Sequence, residues 1–177
     1  EGGVRIPLLI RWPGRIEEQV RNELVSTIDL MPTLLAAARA PSVTNLPGRD
    51  LQPLFKSGSV AWRSHLFTEY HAHAATNFFP QRAVRNERFK LIENLLPGQV
   101  HPDFEATLRK MVGEVNNSSP EIVVNFQAVL SEASAEVQKA YALMRQPPRY
   151  ELYDLKADPF EFNNLAGQAH YESEQNE

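Results

Sequence analysis

Apolar residues recur along this chain at two periods, and the spacing divides it into elements. Ile6-Pro7-Leu8-Leu9-Ile10 is a short continuous apolar run, the pattern of a strand buried on both faces. Pro7 restricts it to a strand start or an edge, because proline has no amide proton for the ladder. Pro13-Gly14 marks the following turn. Between Leu24 and Ala38 the period changes. Ile28, Met31, Leu34 and Leu35 fall at helical spacing behind Ser26, Thr27 and Asp29, all capping types. Pro32 is compatible only with a first turn, whose amides have no intrahelical acceptor. The spacing therefore predicts a helix from near Asp29 to near Arg39, before Pro41.

Residues 40–48 read as a loop, and Leu51 to Phe55 as one helical turn. A strand is predicted over 65–70 and a hairpin over 82–92, turning at Asn86-Glu87. A helix is expected over 103–115. Ser119-Pro120-Glu121 is a second helix start: a hydroxyl cap, proline at the first position and an acid near the positive dipole end. Behind it Ile122, Phe126, Val129, Leu130, Val137, Tyr141 and Met144 trace one stripe of period near 3.6, ended by Pro147-Pro148. Residues 150–155 alternate as a half-buried strand does, Ala157-Asp158-Pro159 is a turn, and the polar tail after Gly167 is expected to fray. The order predicts an α/β edge followed by an antiparallel sheet with helices on one side.

Composition narrows the function classes. With 18 basic and 22 acidic side chains the net charge is -4, which gives no general attraction to nucleic acid or anionic membrane. No apolar stretch reaches the length of a membrane span. Cysteine is absent, which excludes disulfides and thiolate zinc sites within the chain. The chain starts at Glu1 without Met and runs straight into Gly2-Gly3 and an apolar run, which we read as the interior of a longer polypeptide.

Three segments, in order, resemble the sulfatase family of the alkaline phosphatase-like superfamily. The first is Glu1-Gly2-Gly3-Val4-Arg5-Ile6-Pro7 with Trp12-Pro13-Gly14; the second is Ser26 to Leu35 with Gly48-Arg49-Asp50-Leu51 behind it. The third is Glu151-Leu152-Tyr153-Asp154-Leu155, Asp158-Pro159 and Asn164-Leu165-Ala166. Phe79 to Arg85, Phe89 to Leu95 and the long helical insertion before Tyr150 look like the heparan N-sulfatase (sulfamidase) branch. The resemblance implies the carboxy-terminal portion of a sulfatase. Residues 1–58 would be the edge strand and helix of the large α/β domain. Residues 59–167 would be an α+β subdomain with a small antiparallel sheet packed on helices and an insertion over 103–146, and 168–177 a polar tail.

Family members hydrolyse sulfate esters or N-sulfates with a formylglycine nucleophile and a calcium ion. The resemblance implies a sulfated saccharide or glycosaminoglycan as substrate, and suggests a periplasmic, extracellular or lysosomal setting. The nucleophile motif, Cys or Ser before x-Pro-x-Arg, has no match here, nor do the Asp and Asn calcium ligands. Calcium is therefore expected on residues outside this chain, in a missing amino-terminal sulfatase domain that would be its partner, and the chain by itself is expected to be inactive. One departure from the family pattern is Arg39, where relatives end the helix with Gly. A phosphomonoesterase or phosphodiesterase of the same superfamily, and a non-catalytic glycan-binding homologue, remain alternatives.

The candidate substrate-binding residues are His71, His73, Arg82 and Arg5; no catalytic or metal-ligating residue is expected within the chain. His71 and His73 share one face of an extended segment. No third metal ligand stands within sequence reach, so the functional reading is hydrogen bonding to sugar hydroxyls or a second anionic group, and the plain one a pair of surface loop histidines. The planar fork of Arg82 suits carboxylate or sulfate; its alternative is an ion pair with Glu69 or Glu87. Arg5 would anchor beside the sulfate pocket or sit in a structural ion pair. Asp29 reads as a helix cap, Asp158 and Asn163-Asn164 as turn chemistry, and Asp154 as a paired or solvated strand end.

Overall fold

The computed structural model describes residues 3–41, 43–72, 78–102 and 126–176. The expected helix over 103–115, the helix start at 119–121 and His73 lie outside the described residues. The chain divides into two units, Gly2–Leu66 and, from Phe67 onward, the remainder to Glu177.

In the first unit the core is Leu51, Leu54 and Phe55, packed by Trp12, Leu30 and Trp62. Full burial of such side chains contributes about 1.5–3 kcal/mol each. The turn expected at 51–55 is a 3-10 turn, Gln52–Phe55. The expected helix is a 3-10 turn, Thr27–Asp29, continuing into α1, Leu30–Ala37. Its apolar stripe is not its buried face: Ile28, Met31 and Leu34 are exposed, while Asp29 and Thr33 are buried. Polar groups make this packing. The Asp29 carboxylate accepts from the Ser26 and Arg49 amides at 2.8 and 2.7 Å. Arg63 donates to it twice, at 2.9 and 2.7 Å. Thr33 Oγ1 donates to the Asp29 carbonyl at 2.6 Å and accepts from the Leu51 amide at 2.8 Å. Gly48 makes the close approach possible, since a Cβ there would lie 2.0 Å from the Ile28 carbonyl oxygen.

The doubly buried strand expected at 6–10 is a correction. Residues 4–10 form no strand, and every one is exposed, Leu9 to 91%. A strand exists only through hydrogen bonds to a neighbour, and no described segment pairs with this one.

The second unit carries the expected sheet. Its strands are β1, Leu66–Tyr70, β2, Gln81–Arg85, β3, Phe89–Asn94, and β4, Tyr150–Asp154, in spatial order β1-β2-β3-β4. β2 and β3 form the expected antiparallel hairpin, in which Asn86 Oδ1 accepts from the Arg88 and Phe89 amides at 2.8 and 2.7 Å. β3 pairs antiparallel with β4, so Glu93 stands opposite both Arg82 and Tyr150, and Leu91 opposite both Val84 and Leu152. Because the pleat alternates sides, these residues share one face.

The other face holds a buried polar network. Gln81 donates to Asn94 Oδ1 at 2.5 Å, and Asn94 donates to Glu151 Oε1 at 2.7 Å. The Tyr153 hydroxyl donates to Glu151 Oε2 at 2.5 Å. Burial, and then the Glu151 charge, push that hydroxyl's pKa up. Lys90 donates to both oxygens of Glu161, at 3.0 and 2.7 Å.

The single helix expected through 122–144 is two: α2, Phe126–Glu132, and α3, Ala135–Arg145. Ser134 caps α3, its hydroxyl accepting from the Val137 amide at 3.3 Å, and Gln138 donates to the Ser131 and Ala133 carbonyls of the break. The tail expected to fray is ordered into a 3-10 turn, Ala169–Tyr171, and α4, Glu172–Asn176. Gln175 Oε1 accepts from the Gly167 amide at 2.9 Å, and the Tyr171 ring meets Phe89 edge-on.

Candidate functional site

The sheet's first face forms a shallow groove of about 490 Å³ entirely within the second unit. Its floor is Val84 and Leu91, its ends Phe67 and Tyr150, and Glu69 and Arg82 stand along it. Strand geometry places each of them. Phe67 and Glu69 are two apart on β1 and so project to the same side, and both are exposed. Arg82 and Val84 repeat that spacing on β2.

Two candidate residues meet here. Arg82 Nε donates to Glu69 Oε1 at 3.0 Å, and His71 Nε2 lies 3.3 Å from the same oxygen. All three side chains remain more than half exposed. The pairing named as Arg82's alternative partner, Glu69, is therefore present in this structure. The hydrogen bond from His71, then that from Arg82, hold the Glu69 carboxyl below the usual carboxylate range. His71 is positioned from behind by its carbonyl, which accepts from the Phe79 amide at 2.8 Å. Phe79 is itself buried, against His101.

A second carboxylate lies across the sheet. Glu93 Oε1 accepts from Arg149 at 3.1 and 3.3 Å and from the Tyr150 hydroxyl at 3.4 Å, while the Arg149 guanidinium lies over the Tyr150 ring at 5.1 Å. The groove thus offers acceptors, one arginine and two aromatic rings over an apolar floor, with Arg149 bound to Glu93 beside it. This suits a polar ligand with an apolar face.

Arg5 belongs to the other unit, is exposed and makes no hydrogen bond or ion pair among the described residues. Among the described residues no group of three or more His, Asp or Glu converges as a metal site. Sequence reasoning missed Phe67, Glu69 as the bridging group, and Tyr150. The alternation of Phe67 and Glu69 was legible; which strands would stand beside them was not.

The chain matches the family model described as N-sulphoglucosamine sulphohydrolase, C-terminal, over residues 1–117. An ulvan-active sulfatase of Formosa agariphila is 28% identical over 174 residues, covering 97% of this chain and 30% of the relative. The N-sulphoglucosamine sulphohydrolase of Homo sapiens is 29% identical over 182 residues, covering 93% and 33%. The chain therefore spans about a third of the length of these curated relatives. The solved structure of BT4656 in complex with its substrate D-glucosamine-2-N,6-O-disulfate superposes with a TM-score of 0.50 at 21% identity, covering 84% of this chain and 21% of that one. That likeness is one of fold.

Proposed function

Because this chain belongs to the N-sulphoglucosamine sulphohydrolase C-terminal family, and so is a C-terminal sulfatase portion, we propose that it supplies the substrate-selecting wall of a sulfohydrolase acting on sulfated saccharides. In this reading residues 1–58 complete the edge of a large α/β domain and 59–167 form the subdomain beside its cleft. The nucleophile and the calcium ion are supplied by polypeptide outside this chain, and no chemical step runs through the residues described here. They bind and orient.

The observation that carries the reading is the convergence of His71 and Arg82 at the groove edge. A sulfate oxygen pair matches an arginine fork in plane and spacing, and an imidazole beside it adds a second donor. His73 and Arg5 are also proposed as substrate-binding residues, on the family resemblance alone. The sulfated substrates of the relatives, a glucosamine disulfate in one case and N-sulphoglucosamine by name in another, have the charge that such a set takes.

Calorimetric titration of the chain with a heparin tetrasaccharide tests this. Arg82→Ala is expected to weaken binding about tenfold or more, in line with the loss of a charge-assisted pair, and His71→Ala by a smaller factor. Unchanged affinity in both variants would remove these residues from the site.

A further inference from the structure

Resting on the substrate-wall reading, we propose that Glu69 is an internal competitor for the ligand's anionic group, and that Phe67 is the platform on which the sugar ring carrying that group lies. In the free protein one carboxylate oxygen of Glu69 faces both Arg82 Nε and His71 Nε2. This is the arrangement a sulfate oxygen would adopt toward the same two donors. The terminal nitrogens of Arg82 make no hydrogen bond among the described residues, so the outer edge of the fork is open to a ligand. All three groups are more than half exposed. Ion pairs of that kind are weak and exchange partners at little cost, so a sulfate entering the groove has only a solvated surface pair to displace. A carboxylate left beside it then repels it, and the site accepts an anion only where other contacts compensate.

Phe67 provides such a contact. Its side chain projects from the same side of β1 as Glu69, it lines the groove, and it is 76% exposed with no ring partner among the described residues. Covering this exposed aromatic surface with an apolar ligand face is favourable. A pyranose ring has the matching form: an apolar C–H face to lie on the ring, with equatorial substituents reaching sideways to Arg82. A ligand carrying both a ring and an anion would then bind more tightly than one with either alone, the ring contact compensating for the anion's competition with Glu69.

The test is calorimetry on the whole chain at low ionic strength, with a heparin tetrasaccharide and an uncharged counterpart of it (desulfated, N-acetylated and carboxyl-reduced) as probes. Glu69→Gln keeps the size and removes the charge, and is expected to tighten the sulfated probe about threefold without strengthening the uncharged one. Phe67→Ala is expected to weaken the sulfated probe about tenfold, and Phe67→Tyr to restore it. Both positions are exposed, and circular dichroism verifies that the variants stay folded. Equal or weaker binding by Glu69→Gln overturns the competition, and full affinity in Phe67→Ala overturns the platform. If Arg82→Ala abolishes binding while both of these variants behave as the parent chain, the proposal falls and the substrate-wall reading stands. If neither the parent chain nor Glu69→Gln binds the sulfated probe, both fall.

Discussion

Arg39 closes helix α1 in a left-handed conformation, at φ 52°. The Ala40 amide donates to the Leu35 carbonyl at 3.0 Å and the Arg39 amide to that of Ala36 at 3.1 Å, the paired bonds of a Schellman cap. Glycine takes that conformation without a Cβ clash. Arg39→Gly is therefore expected to stabilise the fold by about 1 kcal/mol, measured as a raised urea midpoint with unchanged slope; a lowered midpoint would contradict it. Asp29 is the opposite case, a residue that is indispensable where it stands. Burial would raise its pKa, but the hydrogen bonds from Arg63, Arg49 and Ser26 and the Arg63 charge outweigh burial and lower it. Its contribution is present above the ordinary aspartate value of 3.8 and is lost as pH falls through the lower folded value. Asp29→Asn leaves Arg63 without its counter-charge and is expected to cost about 3–5 kcal/mol at neutral pH. The loss should shrink in acid, because the parent's advantage disappears there. An equal loss at pH 7 and pH 2, read by denaturant unfolding, would assign the effect to packing.

At the scale of elements, β4 is held on its free side by one side chain. Asn164 Oδ1 accepts from the Leu152 amide at 2.9 Å and its Nδ2 donates to the Tyr150 carbonyl at 3.2 Å. The Leu165 amide donates to the Leu152 carbonyl at 2.8 Å. The loop after β4 thereby covers an edge that would otherwise be open to another strand. Asn164→Ala leaves a buried strand's amide unpaired and is expected to destabilise by about 1–3 kcal/mol. Faster hydrogen exchange at the Leu152 amide, with β2 unchanged, would accompany it; unchanged exchange there would contradict the account. The break between α2 and α3 follows the same logic, since Ser134 offers the backbone a cap that competes with continuing the helix.

For the whole molecule, the chain contains no Cys, and none of its Ser residues stands before x-Pro-x-Arg. In the proposed reading the nucleophile lies outside this chain, so the purified chain is expected to show no turnover of a chromogenic aryl sulfate; measurable turnover would overturn the proposed division of labour. What the sequence by itself determined is local. Ser26 to Asp29 placed the helix start, Asn86-Glu87 the hairpin, Pro147-Pro148 the end of α3, and the ordered motifs the family, because caps, turns and periodicity depend on residues a few positions apart. What only the tertiary structure decided is which distant groups meet. Arg63 reaching Asp29, Lys90 reaching Glu161, and His71 and Arg82 sharing Glu69 all depend on strand order and register. So does the exposure of the apolar run at 6–10, for a strand is completed by its neighbour, and a one-dimensional pattern specifies the need for that neighbour without supplying it.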